Sequence, residues 1–284
     1  MVGCWGSDGV NRLIAKGRIQ ARQMLMWRRL LAPCIRGCLW LFPLCLLTLY
    51  GCMGIYHHAV PAEQAKDHYS RALQYLSMGA GEPAVRELTQ AVNLDPTNAE
   101  FHNALALAYH FEGRYQYAFT YYTKALELAP NYAEAHVNLA ALFLDLGRWD
   151  DAIAHGREAL TITTYQNPQK AYNNLGLAYM GKGDMISARR AFRDALAFYD
   201  NFPEAHRNLG TIYFQQGQIE DAIPEFREAV RLRPHYGEAL VDLAVAYLER
   251  GDKADAMTQF RKVIQLDPDS ELAELAKWYL GTLQ

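Results

Sequence analysis

The sequence predicts an all-α protein: a right-handed α-solenoid of six helix hairpins, closed by a C-terminal capping helix. Three columns of residues predict it. Glycine recurs at one phase, as Gly79, Gly113, Gly147, Gly183, Gly217 and Gly251, with spacings of 34, 34, 36, 34 and 34 residues. That period suits a unit of helix, tight turn and helix. The glycine falls where the first helix must stop, because a left-handed residue there carries no Cβ penalty. Counted from Ala65, Ala99, Ala133, Gln169, Pro203 and Gly237, position 20 is alanine throughout: Ala84, Ala118, Ala152, Ala188, Ala222 and Ala256. Small residues there let the two helices of a hairpin approach closely. Position 11 is aromatic (Tyr75, Tyr109, Phe143, Tyr179, Tyr213, Tyr247) and plugs the space between neighbouring hairpins.

The segments follow in chain order. Residues 1–23 match neither a signal nor the repeats, and starting at Met24 or Met26 gives an export signal of ordinary length. Residues 24–51 have that layout: Arg28, Arg29 and Arg36 form a positive region, and Cys38 to Tyr50 form an uncharged apolar core. Leu49-Tyr50-Gly51-Cys52 then resembles the lipidation motif of bacterial lipoproteins, with Cys52 as the residue that takes the lipid. Tyr50 departs from that pattern, in which a small residue is usual. The alternative is an uncleaved anchor, since Gly37 to Tyr56 is 20 residues without a charge, enough to cross a bilayer. Both readings place the repeats outside the cytoplasm. Residues 52–64 form the lipidated cysteine and a linker, in which His57-His58 reads as part of a solvated tether.

The six repeats span 65–98, 99–132, 133–166, 169–202, 203–236 and 237–270. Prolines at Pro96, Pro130, Pro234 and Pro268 close four of the second helices. Between the third and fourth repeats two residues are added and the closing proline is replaced by Thr164; Pro168 restarts the helix, and the insertion is expected to widen the superhelix there. The capping helix takes 271–284, with Ser270 as its N-cap and Leu272, Leu275 and Tyr279 as its apolar face. Over residues 65–270 the chain resembles the tetratricopeptide repeat family.

Charge is unevenly placed. Residues 1–52 hold seven Lys/Arg and one Asp, a net of +6 against a total of −3, which leaves −9 on residues 53–284. An acidic solenoid is poorly suited to a phosphate backbone, so no nucleic-acid partner is expected. All five cysteines precede the repeats, and the repeats therefore offer no disulfide or cysteine metal site. His68, His102, His136 and His206 share position 4. Equivalent positions on stacked helices lie about 8–10 Å or more apart, too far to share one metal at bond lengths near 2 Å. These histidines read as packing residues, and no metal, cofactor or small-molecule substrate is expected. No nucleophile motif, phosphate loop or carboxylate pair stands out, and the reading is not that of an enzyme.

The resemblance implies that the first helices line an inner wall that binds protein. Two columns lie there. Position 6 carries Asn138, Asn174 and Asn208; such an asparagine ladder in peptide-binding relatives holds an extended backbone, since each amide offers donor and acceptor. The alternative is that each bonds only within its own repeat. Position 12 carries Leu76, Leu144, Met180, Phe214 and Leu248, with His110 as the exception, and suits an apolar partner segment. The clamp for chaperone tails found in cytosolic relatives does not fit, because only two of its five residues are matched.

Six repeats, the joint Thr164 to Gly176 and the motif at Cys52 together resemble the type IV pilus pilotins. That resemblance implies an outer-membrane lipoprotein on the periplasmic face that helps a secretin pore localise and assemble. Its partners would be the secretin or another envelope protein, with the membrane held through the N-terminal lipid. Two alternatives stand beside it: a lipoprotein scaffold for cell-wall hydrolases or proteases, and an inner-membrane assembly factor for polysaccharide export or protein sorting.

Overall fold

The computed structural model describes residues 61–283; the expectations for residues 1–60, Cys52 among them, lie outside them. Thirteen α-helices and no strand occur among the described residues. They pair as α1 (Pro61–Ser77) with α2 (Gly81–Leu94), α3 (Ala99–Phe111) with α4 (Tyr115–Leu128), and α5 (Ala133–Asp145) with α6 (Trp149–Thr161). Then come α7 (Pro168–Gly181) with α8 (Met185–Phe198), α9 (Pro203–Gln215) with α10 (Ile219–Leu232), and α11 (Gly237–Arg250) with α12 (Lys253–Leu266). The capping helix α13 is Glu271–Thr282. Helix α1 starts ahead of the repeat boundary at Ala65.

Each hairpin turns by the same device. The six glycines of the repeating column have φ between 68° and 97°, and no other described residue has positive φ. The residue after each glycine donates its N–H back to the carbonyl of position 11, as in Arg114 to Tyr109 and Asp252 to Tyr247, both at 2.8 Å. This bond satisfies a helix-end carbonyl that would otherwise be orphaned. The aromatic column thus fills space with its side chain and closes the turn with its backbone.

All six position-20 alanines are completely buried. One turn further along the same helix face is a column that the sequence reading passed over, position 24, with Leu88, Tyr122, Phe192, Phe226 and Phe260 also fully buried. Burying such a side chain contributes about 1.5–3 kcal/mol. In the fourth and fifth repeats the ring also rests on a glycine at position 8: a Cβ on Gly176 would lie 2.4 Å from Phe192 and one on Gly210 2.8 Å from Phe226, whereas the second and sixth repeats hold Ala106 and Ala244 there with Tyr122 and Phe260.

The third repeat carries Gly156 at position 24, and Leu175 of the next hairpin leans into the vacated space. That reverses the expectation for the two-residue insertion. Helices α5 and α7 meet over a longer stretch than any other neighbouring first helices, and α6 packs closely on α7. Helix α6 ends at Thr161, and the connection runs to Pro168, the first residue of α7. The break therefore tightens the joint instead of widening it, because a missing side chain lets the next hairpin move in.

At the C-terminus, the Ser270 hydroxyl accepts from the Ala273 N–H at 3.2 Å, as an N-cap should. Leu272, Ala276 and Tyr279 pack on the last hairpin, with Tyr279 stacked on Phe260. Leu275 does not belong to that face: it is exposed together with Trp278. The face follows 272, 276 and 279, one helical turn apart, and Leu275 lies outside it.

Candidate protein-binding groove

The first helices of neighbouring hairpins touch from α3–α5 through α11–α13, whereas second helices pack on first helices and make no such run of their own. The first helices therefore form the inner wall of the curve.

The wall is stitched across the repeats. Asn138 Nδ2 donates to Asn103 Oδ1 at 3.1 Å, Asn208 Nδ2 to Asn173 Oδ1 at 3.0 Å, and Asn174 Nδ2 to the Val137 carbonyl at 3.0 Å. Arg207 and Asp242 repeat the geometry as an ion pair at 2.6 Å. Each bond joins position 5 of one repeat to position 6 of the next. The asparagines thus spend one N–H on the preceding hairpin, which the sequence reading did not foresee. Asn138 and Asn174 are half-buried and keep an amide oxygen and a second N–H without a protein partner among the described residues; Asn208 is buried. The partners Asn103 and Asn173, both buried, were missed. Their signal was the 35-residue offset from position 5 to position 6.

The apolar column at position 12 lies between the hairpins. Leu144 packs against the N-terminal core, and Met180, Phe214 and Leu248 pack against the C-terminal one; all are half-buried. His110, the exception, binds Asp145 of the next first helix at 2.7 Å. The exposed apolar surface of the wall comes instead from positions 9 and 13: Leu73 is 43% exposed, Leu107 40% and Phe111 59%. Leu107 and Phe111 are four residues apart and share one helix face. The sequence reading missed all three, although Leu73 and Leu107 hold the same phase.

The position-4 histidines are structural, tying the loop that ends the preceding repeat to the second helix of their own. His102, His136 and His206 donate from Nε2 to the carbonyls of Pro96, Pro130 and Asp200 at 2.9–3.0 Å. Their Nδ1 atoms turn toward position 23, where His206 finds Glu225 at 2.7 Å. Burial works to lower the pKa of His206, but the Glu225 hydrogen bond and charge and the Asp200 carbonyl hold it above the ordinary value. In the third repeat position 23 is His155, whose Nδ1 lies 2.9 Å from that of His136. Burial and His136 push the His155 pKa down. This pair sits in a cleft of about 600 Å³ between α4 and α6, lined also by Phe119, Leu126 and Phe143. Among the described residues no group of three or more His, Cys, Asp or Glu is arranged to hold a metal.

Tetratricopeptide repeat models match residues 72–111, 97–164, 131–201, 173–236 and 207–271, an unbroken run from 72 to 271. The chain belongs to the tetratricopeptide repeat family. No curated protein matches it in sequence. Among solved structures it is similar to the PilF protein of Pseudomonas aeruginosa, with 21% identity, a TM-score of 0.65, and cover of 77% of this chain and 99% of that one. It is also similar to PilW, described as a widely conserved type IV pilus biogenesis factor, with 22% identity, a TM-score of 0.66, and cover of 74% and 97%. The Cut9–Hcn1 assembly of the anaphase-promoting complex aligns with 20% identity and a TM-score of 0.69, over 82% of this chain and 45% of that one. These likenesses share the fold, and the fold serves several functions.

Proposed function

We propose that the chain is a protein-binding scaffold of the bacterial envelope that acts in type IV pilus biogenesis, as a pilotin that helps a secretin localise and assemble. The observation that carries the scaffold reading is the exposed row Leu73, Leu107 and Phe111 on the inner wall, beside asparagines with unused amide groups. Large apolar side chains held in water on a concave face favour a partner that covers them. The pilus assignment is supported by likeness in fold over nearly the whole of PilF and PilW and by the Leu49-Tyr50-Gly51-Cys52 motif. In this reading Cys52 is lipidated and the repeats stand on the periplasmic face of the outer membrane. Several acyl chains, at about 0.8 kcal/mol per buried CH₂, give lasting attachment.

The test is the fate of the secretin in cells. With the chain deleted, multimeric secretin in the outer membrane should fall and monomer should accumulate, and expression of the wild-type chain should restore it. Unchanged multimer level and location would remove the pilotin reading and leave the scaffold.

A further inference from the structure

The boundary between the second and third repeats lacks a contact that the next two boundaries share. There the arginine at position 25 of one repeat reaches the tyrosine at position 11 of the next. Arg157 Nη2 donates to the Tyr179 hydroxyl at 2.7 Å, and Arg193 Nη2 to the Tyr213 hydroxyl at 2.6 Å. Between the second and third repeats these positions hold Thr123 and Phe143, and Phe143 is the one member of its column without a hydroxyl. Neither half of the contact can form. Both residues line the cleft of about 600 Å³ between α4 and α6, so the space that an arginine crosses at the later boundaries is open here. The first boundary also has a threonine, Thr89, but its Tyr109 ring is stacked on both Tyr117 and Tyr121. At the last boundary Arg227 is exposed and Arg250 lies over Tyr247 instead.

The geometry points to a second binding site in this cleft, which takes the arginine side chain of a protein partner and so supplies in trans what the next two boundaries supply from the chain itself. The lining offers acceptors beside apolar walls. His136 spends its Nε2–H on the Pro130 carbonyl, so its Nδ1 carries a lone pair, and the 2.9 Å contact between the two Nδ1 atoms places the proton on His155. His155 Nε2 is then a bare acceptor, with no protein partner among the described residues. Glu158, also on the lining, is exposed and forms no ion pair among the described residues. The other charges there are already engaged, Glu127 with Lys124 at 2.9 Å and Arg148 with Asp151 at 2.7 Å. A guanidinium has donors only, which suits a site whose unused groups accept. Its stem lies against Phe119, Leu126 and Phe143, and a planar cation also stacks on aromatic rings, as an ammonium does less well. A cleft of this size buries a drug-sized ligand, which leaves room for an apolar neighbour of the arginine. The site opens between second helices, away from the inner wall, and stands or falls independently of secretin capture there.

Short random peptides displayed on phage, panned in parallel on the full chain in detergent and on its Thr123→Arg, Phe143→Tyr variant, test this. The variant rebuilds the internal contact and fills the cleft. Wild type should enrich peptides in which an arginine adjoins an aliphatic or aromatic residue, and the filled variant should not. Replacing that arginine by lysine or by uncharged citrulline should weaken a selected peptide at least about tenfold. His155→Phe with Glu158→Gln, checked for retained helicity, should weaken it as much. A photo-cross-linker beside the arginine should label α4 or α6. Leu107→Asp with Phe111→Asp, on the inner wall, should leave this binding unchanged. Enrichment without arginine, equal enrichment on both proteins, labelling elsewhere or no enrichment would overturn the inference. If the filled variant loses its helical signal, the His155/Glu158 variant decides, and undiminished binding to it would overturn the inference.

Discussion

Asn208 donates to Asn173 across a repeat boundary, 3.0 Å from Nδ2 to Oδ1, with both amides buried. The same step is made by Asn138 to Asn103 across the boundary between the second and third repeats. A side chain that looks available for a ligand is therefore part of what sets the curvature of the wall.

Asn208→Ala should destabilise the chain by about 1–3 kcal/mol, because it leaves the buried Asn173 amide without its partner. Asn138→Ala, in a half-buried site that water can reach, should cost less. Denaturant titration of the two variants gives the comparison. Equal stabilities would mean that the buried amide bond contributes nothing.

Packing inside the hairpins should be intolerant of added volume. Ala188 is fully buried, and Ala188→Leu should cost about 1–3 kcal/mol or more; Gly176→Ala should cost a similar amount by driving a Cβ into Phe192. Lys182→Ala removes only an exposed pair with Asp150 and should change stability by less than about 1 kcal/mol. Thermal melts of the three variants check this ordering.

Two histidines should give opposite pH dependences. His206 has a raised pKa in the fold, so its contribution is fully present below the unfolded value of about 6.5 and is lost as pH rises through the folded pKa. His155 has a lowered pKa, so its contribution is present above about 6.5 and is lost as pH falls through the folded pKa. His206→Gln should therefore lower the melting temperature more at about pH 5 than at about pH 8. His155→Glu, which copies Glu225, should help more at the lower pH than at the higher. The same pH response in both variants would contradict the assignment.

Lipid attachment should depend on one thiol. Cys52→Ser should abolish incorporation of labelled lipid and release the chain from the outer-membrane fraction, because no other cysteine follows such a motif. A mature protein that keeps residues 24–51 would favour the uncleaved anchor.

The repeats were legible because their signals are backbone necessities: glycines at positive φ, alanines where helices touch, and aromatics whose carbonyls close the turns. The inner wall was legible only as a set of columns. Position 12 reads as a groove from periodicity, yet Met180 and Phe214 are half-buried between hairpins. Which face of a first helix is exposed depends on the neighbouring hairpins, and that is a tertiary property. The tight joint at Gly156 escaped for a related reason. An insertion suggests separation, whereas the space beside it was set by a side chain absent from the preceding helix.

Capture of the secretin by wall variants of the full chain tests the central claim most directly. Leu107→Asp with Phe111→Asp places charges on the exposed row of the inner wall. Ile186→Asp, on the second helix α8 and 75% exposed, is a matched change away from it. From detergent-solubilised cells, wild type and the Ile186 variant should co-purify secretin in equal amounts, and the Leu107/Phe111 variant should recover at least about tenfold less while keeping its helical signal. Equal recovery by all three folded proteins would contradict binding through the inner wall.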